Sequence, residues 1–214
     1  MATFGARRAS NAQIANVVNA CECFLFDCDG VIWKGNQLLP GVKNMLASLR
    51  NKGKMINFVT NNSTRSRIKF LDKFHELGLN CVKAEEIYCS SFATAKYLAE
   101  FRPLDPARPK VYVVGREGIC DELENMGVPW VGGPEHDNLA DTGLNPINID
   151  ENIGAVVAGL DWSLNYHKIH YASLCIADGA RFIATNMDAK THLTSTQKWP
   201  GAGAIVASIQ ACSR

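Results

Sequence analysis

Two aspartates separated by one residue, Asp27 and Asp29, close the short apolar run Phe24-Leu25-Phe26 and are followed at once by Gly30. A run of this length that ends in a glycine turn predicts a buried strand with Asp27 at its carboxyl end, the edge where open α/β sheets place their ligands. Two acids this close must share a proton or share a cation, because each raises the cost of ionising the other. Acid-base work, nucleophilic attack and metal binding are the chemistries open to such a pair. The plain alternative is an Asx turn that caps a strand.

The elements that would position this pair can be read on either side of it. A second strand signal, Met55-Ile56-Asn57-Phe58-Val59-Thr60, runs directly into Asn61-Asn62-Ser63-Thr64. Between the strands, Val42, Met45, Leu46 and Leu49 recur at helical spacing, and Gly53 closes that helix. A right-handed crossover makes the two strands parallel neighbours, so Thr60 comes to the same sheet edge as Asp27. The Thr60 hydroxyl and the amide hydrogens of the Asn61-Asn62 turn, leading into a helix expected to begin between Ser63 and Arg65, suit an anion such as a phosphoryl group. The same residues serve equally well, locally, as an N-cap cluster.

Asp27-Cys28-Asp29-Gly30-Val31-Ile32-Trp33 together with Thr60-Asn61-Asn62-Ser63-Thr64 resembles the haloacid dehalogenase superfamily of aspartate-nucleophile phosphatases. Within it the chain is similar to the phosphoglycolate phosphatase, 4-nitrophenylphosphatase and pyridoxal phosphatase group. Val113-Val114-Gly115, Gly159-Leu160-Asp161, Ala184-Thr185-Asn186-Met187-Asp188 and Gly201-Ala202-Gly203 extend the likeness along nearly the whole chain. The resemblance implies an α/β fold: a Rossmannoid core with a parallel sheet, here incomplete, and a large inserted α/β cap. It implies that Asp27 attacks phosphorus to form an aspartyl-phosphate, and that Asp29 protonates the leaving oxygen and then activates water. Thr60, Asn61 and Asn62 would hold the phosphoryl group. A magnesium ion would sit on Asp27 and on the backbone carbonyl of Asp29, making these two the metal residues. A second acid separates ester hydrolysis from dehalogenation, since a departing halide needs no proton. The expected substrate is a small phosphorylated metabolite such as 2-phosphoglycolate, and a homodimer through the cap is a further family expectation.

The sequence departs from the family pattern in lacking the later lysine of a Gly-Lys-Pro turn and the Gly-Asp motif. After Asn186 the only acid is Asp188, and neither Lys190 nor Lys198 stands in a matching context. The expectation is therefore a C-terminally truncated chain whose charge compensation is incomplete. A fragment, or a pseudo-phosphatase that binds phosphorylated ligands without turnover, is the alternative to an active enzyme.

Of 214 residues 47% are hydrophobic and 20% charged, with a formal net charge of +1, which supports a sizeable core and gives no nucleic-acid footprint. No apolar run reaches membrane-spanning length, so no membrane partner is expected and a cytoplasmic location is. Arg7-Arg8 in an acid-free leader makes mitochondrial targeting the alternative. Eight scattered cysteines without a Cys-x-x-Cys pair fit reduced thiols, and a soft-metal cluster of Cys21, Cys23 and Cys28 is the less simple reading.

Three prolines between Pro103 and Pro109 break the pattern after a helix expected around Phe92 to Phe101. Residues 1–102 are then the N-terminal part of the core domain, and 103–214 the cap, with the last helix at the return to the core; the resemblance implies that the cap face closes over the substrate and that loops such as Asn186 to His192 meet the leaving group. In the second unit, strands are expected at Val111–Val114, Ile153–Leu160 and Arg181–Thr185, with helices at Ile119–Met126 and Asn165–Asp178. The polar stretch Gly132–Asn152 reads as a loop, either disordered or lying over a cleft. Ser10 caps a first helix bearing Ile14, Val17 and Val18. His167, His170 and His192 read as surface, packing or loop residues, and Trp33 as a packing or cleft-lining aromatic.

Overall fold

The computed structural model of the chain describes residues 9–139, 146–191 and 197–213. The first unit runs α1 (Asn11–Ala20), β1 (Cys23–Asp27), β2 (Trp33–Lys34), β3 (Gln37–Leu38), α2 (Val42–Asn51), β4 (Met55–Thr60), α3 (Arg67–Glu76), β5 (Ile87–Cys89) and α4 (Ser90–Lys96). The second runs β6 (Lys110–Val114), α5 (Glu117–Asn125), β7 (Trp130–Gly132), β8 (Ile153–Ala158), α6 (Tyr166–Ala177), β9 (Arg181–Ala184), β10 (Lys190–Thr191), β11 (Trp199–Pro200) and α7 (Ala202–Cys212). The fold is α/β, with one parallel sheet in each unit: β1-β4-β5 and β7-β6-β8-β9.

The crossover inferred between β1 and β4 is present. Cys23 pairs with Met55 and Asp27 with Val59, which leaves Thr60 one residue beyond the register of Asp27. Val42, Leu46 and Leu49 bury the inner face of α2, while Met45 stays at its exposed margin. Phe58 and Phe74 pack with ring centroids 4.5 Å apart, and Trp33 meets Phe74 edge-on at 4.8 Å. All three rings are fully buried, each contributing about 1.5–3 kcal/mol or more to this core.

Several sequence expectations change. Helix α3 starts at Arg67 behind the N-cap Ser66, not between Ser63 and Arg65. The cause is local: the Asn62 side-chain carbonyl accepts from the Thr64 backbone N–H (2.9 Å) and hydroxyl (2.7 Å), holding residues 62–64 in an Asx turn. In α1, Ser10 and Gln13 form the capping box, yet Ile14 and Val17 are exposed and only Val18 joins the core. The stretch between Gly132 and Asn152 is not an open loop at its described ends, because Ile147 and Ile149 pack on the second core and Asp150 pairs with Lys110 at 2.8 Å. Helix α7 packs through Ile205, Val206 and Ile209 into the core beneath α6 and β8.

The two units meet closely. Gly118 of α5 donates its N–H to Thr64 O at 3.2 Å, and a Cβ at Gly118 would lie 2.3 Å from the Arg65 backbone. Glu122 of α5, buried, accepts from the Arg67 backbone N–H, and Lys69 pairs with Asp121 at 2.8 Å.

Candidate active site

At the carboxyl ends of β1 and β4 lies a cavity of about 480 Å³ lined by Asp27, Asp29, Thr60, Asn61 and Asn62. All five residues inferred from the sequence therefore line one cavity. The second unit contributes Leu160, Asn186, Asp188, Lys190, Thr191, Gly201 and Ala202 to the lining.

Asp27 continues the exposed face of β1, and its Oδ1 accepts the Cys28 N–H at 2.7 Å. Burial raises the pKa of its carboxyl, the Cys28 N–H opposes that, and the charges of Asp29 and Asp188 raise it further. Asp29 sits two residues on, in a turn where Ile32 and Trp33 return their N–H groups to Cys28 O at 2.9 and 3.2 Å. Gly30 opens that turn with φ of +85°, a value natural to glycine and strained for other residues. Asp29 Oδ1 accepts the indole N–H of Trp33 at 2.8 Å.

Thr60 is buried, and its Oγ1 accepts the Asn62 N–H at 3.2 Å. Its hydroxyl proton is available to an anion beside it. Asn61 carries the junction between the units. Its carbonyl accepts from Ser90 Oγ at 2.6 Å and from Asn186 Nδ2 at 2.8 Å, and its own Nδ2 donates to Asp188 Oδ2 at 3.0 Å. The Asn62 side chain is committed to its Asx turn, so the capping reading and the pocket-lining reading of this loop both hold.

The loop expected from the resemblance to meet the leaving group, Asn186 to His192, brings Asp188 and Lys190 to the cavity, although neither is singled out individually by the sequence. The signal that could have found them is Gly201-Ala202-Gly203. The Gly203 N–H donates to Asp188 O at 3.0 Å, and a Cβ at Gly201 would lie 2.1 Å from that same oxygen. These glycines let the start of α7 lie against residues 187–188 and hold Asp188 at Asn61. Lys198 does not line the cavity, and His192 lies outside the described residues. Trp33 takes the packing role rather than the cleft-lining one.

Among the described residues, three carboxylates and one ammonium line the cavity. An anionic substrate would meet net repulsion there unless a cation accompanied it. The acid donors are all hard oxygens, which suit a magnesium-like ion rather than a soft metal. No cluster of three or more His, Cys, Asp or Glu able to hold a metal occurs among the described residues, so such an ion would draw on two acids, waters and the ligand.

Residues 24–129 match the model of the haloacid dehalogenase-like hydrolases. The chain is 48% identical over 211 residues to phosphoglycolate phosphatase 1A, chloroplastic, of Arabidopsis thaliana, an alignment covering 95% of this chain and 57% of that protein. It is 45% identical over 204 residues to phosphoglycolate phosphatase 2 of the same plant, covering 94% and 67%. Among solved structures it resembles a glycerol phosphate phosphatase from Mycobacterium tuberculosis in complex with magnesium, with TM-score 0.73, 27% identity, and coverage of 92% of this chain and 53% of the other. The chain thus spans between half and two thirds of the length of these proteins. Among the described residues no helix is long and apolar enough to cross a membrane. With a family model whose match opens on the strand of the aspartate motif, and 45% identity to a relative of which it spans two thirds, the chain belongs to the haloacid dehalogenase-like hydrolases.

Proposed function

We propose that this chain carries the nucleophile half of a magnesium-dependent phosphomonoesterase acting on small phosphate esters, with 2-phosphoglycolate as the favoured substrate. The observation that carries the reading is the single cavity in which Asp27, Asp29 and the Thr60-Asn61 turn face one another. Relatives named phosphoglycolate phosphatase and a structural neighbour solved with magnesium support it.

Asp27 attacks phosphorus through a carboxylate oxygen while the bond from phosphorus to the leaving oxygen breaks. Asp29 gives its proton to that oxygen, then takes one from the water that releases phosphate from the aspartyl-phosphate. Thr60 and the Asn61-Asn62 turn orient the phosphoryl oxygens. Magnesium, held by Asp27 and the backbone carbonyl of Asp29, would neutralise phosphoryl charge. Lys190, the one cation among the described lining residues, suits the carboxylate of phosphoglycolate.

Binding without turnover is the second reading, favoured by one observation: three lining acids face a single lysine. Phosphate release from 2-phosphoglycolate and from 4-nitrophenyl phosphate, with magnesium and beside Asp27→Asn, separates the two. Loss of at least 1000-fold in the variant is expected. Equal rates would end the hydrolase reading, and calorimetric phosphate binding that survives them would establish the second.

As to compartment, we assign a reducing one on the eight free cysteines, all within the described residues. The cytoplasm is the first choice and the plastid the competitor raised by a chloroplastic relative. Imaging of a C-terminally tagged chain distinguishes them.

A further inference from the structure

We infer that Trp33 is a positioning residue for Asp29: its buried indole N–H fixes one carboxylate oxygen so that the other is presented to the leaving group of the substrate. The inference rests on the phosphatase reading above and extends it to a residue with no place in that reaction scheme.

Trp33 has no solvent exposure, and a buried indole N–H requires an acceptor. The acceptor is not a backbone carbonyl of its own hairpin but Asp29 Oδ1, at 2.8 Å. The ring itself cannot turn. Phe74 meets it edge-on at 4.8 Å, Lys73 Nζ lies 4.4 Å from its centroid, and its backbone is tied to Cys28 O and to the Gly30 N–H, the latter at 2.7 Å. A donor held this rigidly transfers its fixity to the carboxylate, whose plane is then set by one short bond. Asp29 lines the cavity, and because the indole takes only Oδ1, Oδ2 is the oxygen assigned to the substrate.

The consequence is specific to one bond-breaking event. When the ester bond of an alkyl phosphate breaks, the leaving oxygen becomes an alkoxide unless it receives the Asp29 proton. A nitrophenolate leaves as a stable anion and needs that proton far less. Misorienting Asp29 should therefore slow alkyl phosphates selectively. A merely structural role for Trp33 would depress both substrates together.

The test is Trp33→Phe in the full chain, with circular dichroism and thermal melting to establish folding. The expected result is a kcat on 2-phosphoglycolate ~10- to 100-fold lower, with KM little changed, and a loss below ~3-fold on 4-nitrophenyl phosphate. Equal losses on both substrates, or none on either, overturn the proposal. Should the native chain show no Asp27-dependent turnover, it is the phosphatase reading that fails. The positioning geometry is then judged by ¹⁵N–¹H spectra of the four tryptophan indoles. Asp29→Ala should shift the indole signal that Trp33→Phe removes and hasten its solvent exchange ~10-fold or more. An unmoved, equally protected signal overturns it. If Trp33→Phe does not fold, Trp130→Phe, Trp162→Phe and Trp199→Phe assign the other three signals, and the response of the remaining one to Asp29→Ala decides the matter.

Discussion

The two parallel sheets are built from similar strands and treat their faces differently. In the second sheet Val111–Val114 and Ala155–Ala158 are buried on both sides, as parallel sheets between helices usually are. In the first, residues alternate: Phe58 is fully buried, whereas Leu25 and Met55 on the opposite face are 68% and 59% exposed. Leu25 and Val59, from that open face, line the cavity beside Asp27. Charge follows the same division. In the second unit Lys168, fully buried, pairs with Asp137 and with buried Asp161, and Arg116 also reaches Asp137, so this buried network is internally compensated. In the first, no ion pair among the described residues involves Asp27 or Asp29. Compensated charge closes the buried network of the second unit, and uncompensated charge marks where a ligand is expected to supply the balance.

The comparison breaks most directly at Lys168. Replacing it with alanine leaves two carboxylates facing each other in a closed environment, and a loss of about 3–5 kcal/mol is expected, read as a lower urea midpoint. A loss under 1 kcal/mol would mean that this network is hydrated and not structural. A leucine pair sharpens the contrast between faces. Leu123→Ala, at a fully buried position on α5, should cost about 2–5 kcal/mol, whereas Leu25→Ala should cost under ~0.5 kcal/mol. Comparable losses would show that the open face of the first sheet is covered in solution.

How much of this was legible beforehand follows from length and period. The β1, α2, β4 unit and the strands and helices around Val113, Val157 and Cys175 carry full apolar patterns, and they stand where the spacing put them. β5 and β7, of three residues each, and the two-residue pairs β2/β3 and β10/β11 are too short to show a period. The five site residues were readable because one crossover brings their strand ends together. Asp188 and Lys190 were legible only as members of a loop that the resemblance placed at the leaving group; their individual placement depends on a chain reversal marked by the contact of Gly201 and Gly203 with residues 187–188. The Asn62 side chain shows the converse. Its local capping geometry was as visible as its placement in the cavity, and sequence had no means of ranking them because both occur.

Asp27 offers a sharper form of the charge contrast. Burial, opposed by the Cys28 N–H, and the charges of Asp29 and Asp188 disfavour its ionised form, so Asp27→Asn should leave the melting temperature unchanged or slightly higher while removing activity. Loss of stability would place Asp27 with the structural carboxylates of the second unit.

The smallest effect expected lies within the second unit, at His136. His136 packs on His167 and Tyr171, its Nδ1 lies 3.1 Å from the Tyr112 hydroxyl, and Lys168 is close enough to oppose a second positive charge. Burial first, then His167 and Lys168, lower its pKa below the ordinary 6.5, with Glu135 acting the other way. The unfolded chain therefore binds this proton more readily than the folded one, and stability must rise with pH across the interval. The contribution is fully present above about 6.5 and is lost as pH falls through the lower, folded value. Melting temperature measured at pH 7.5 and 5.5 should fall toward acid by more in the native protein than in His136→Phe, which keeps the ring packing and cannot take up the proton. Parallel slopes would mean that the cap tolerates a charged His136, and that its interior is less sealed than the pairing of Lys168 implies.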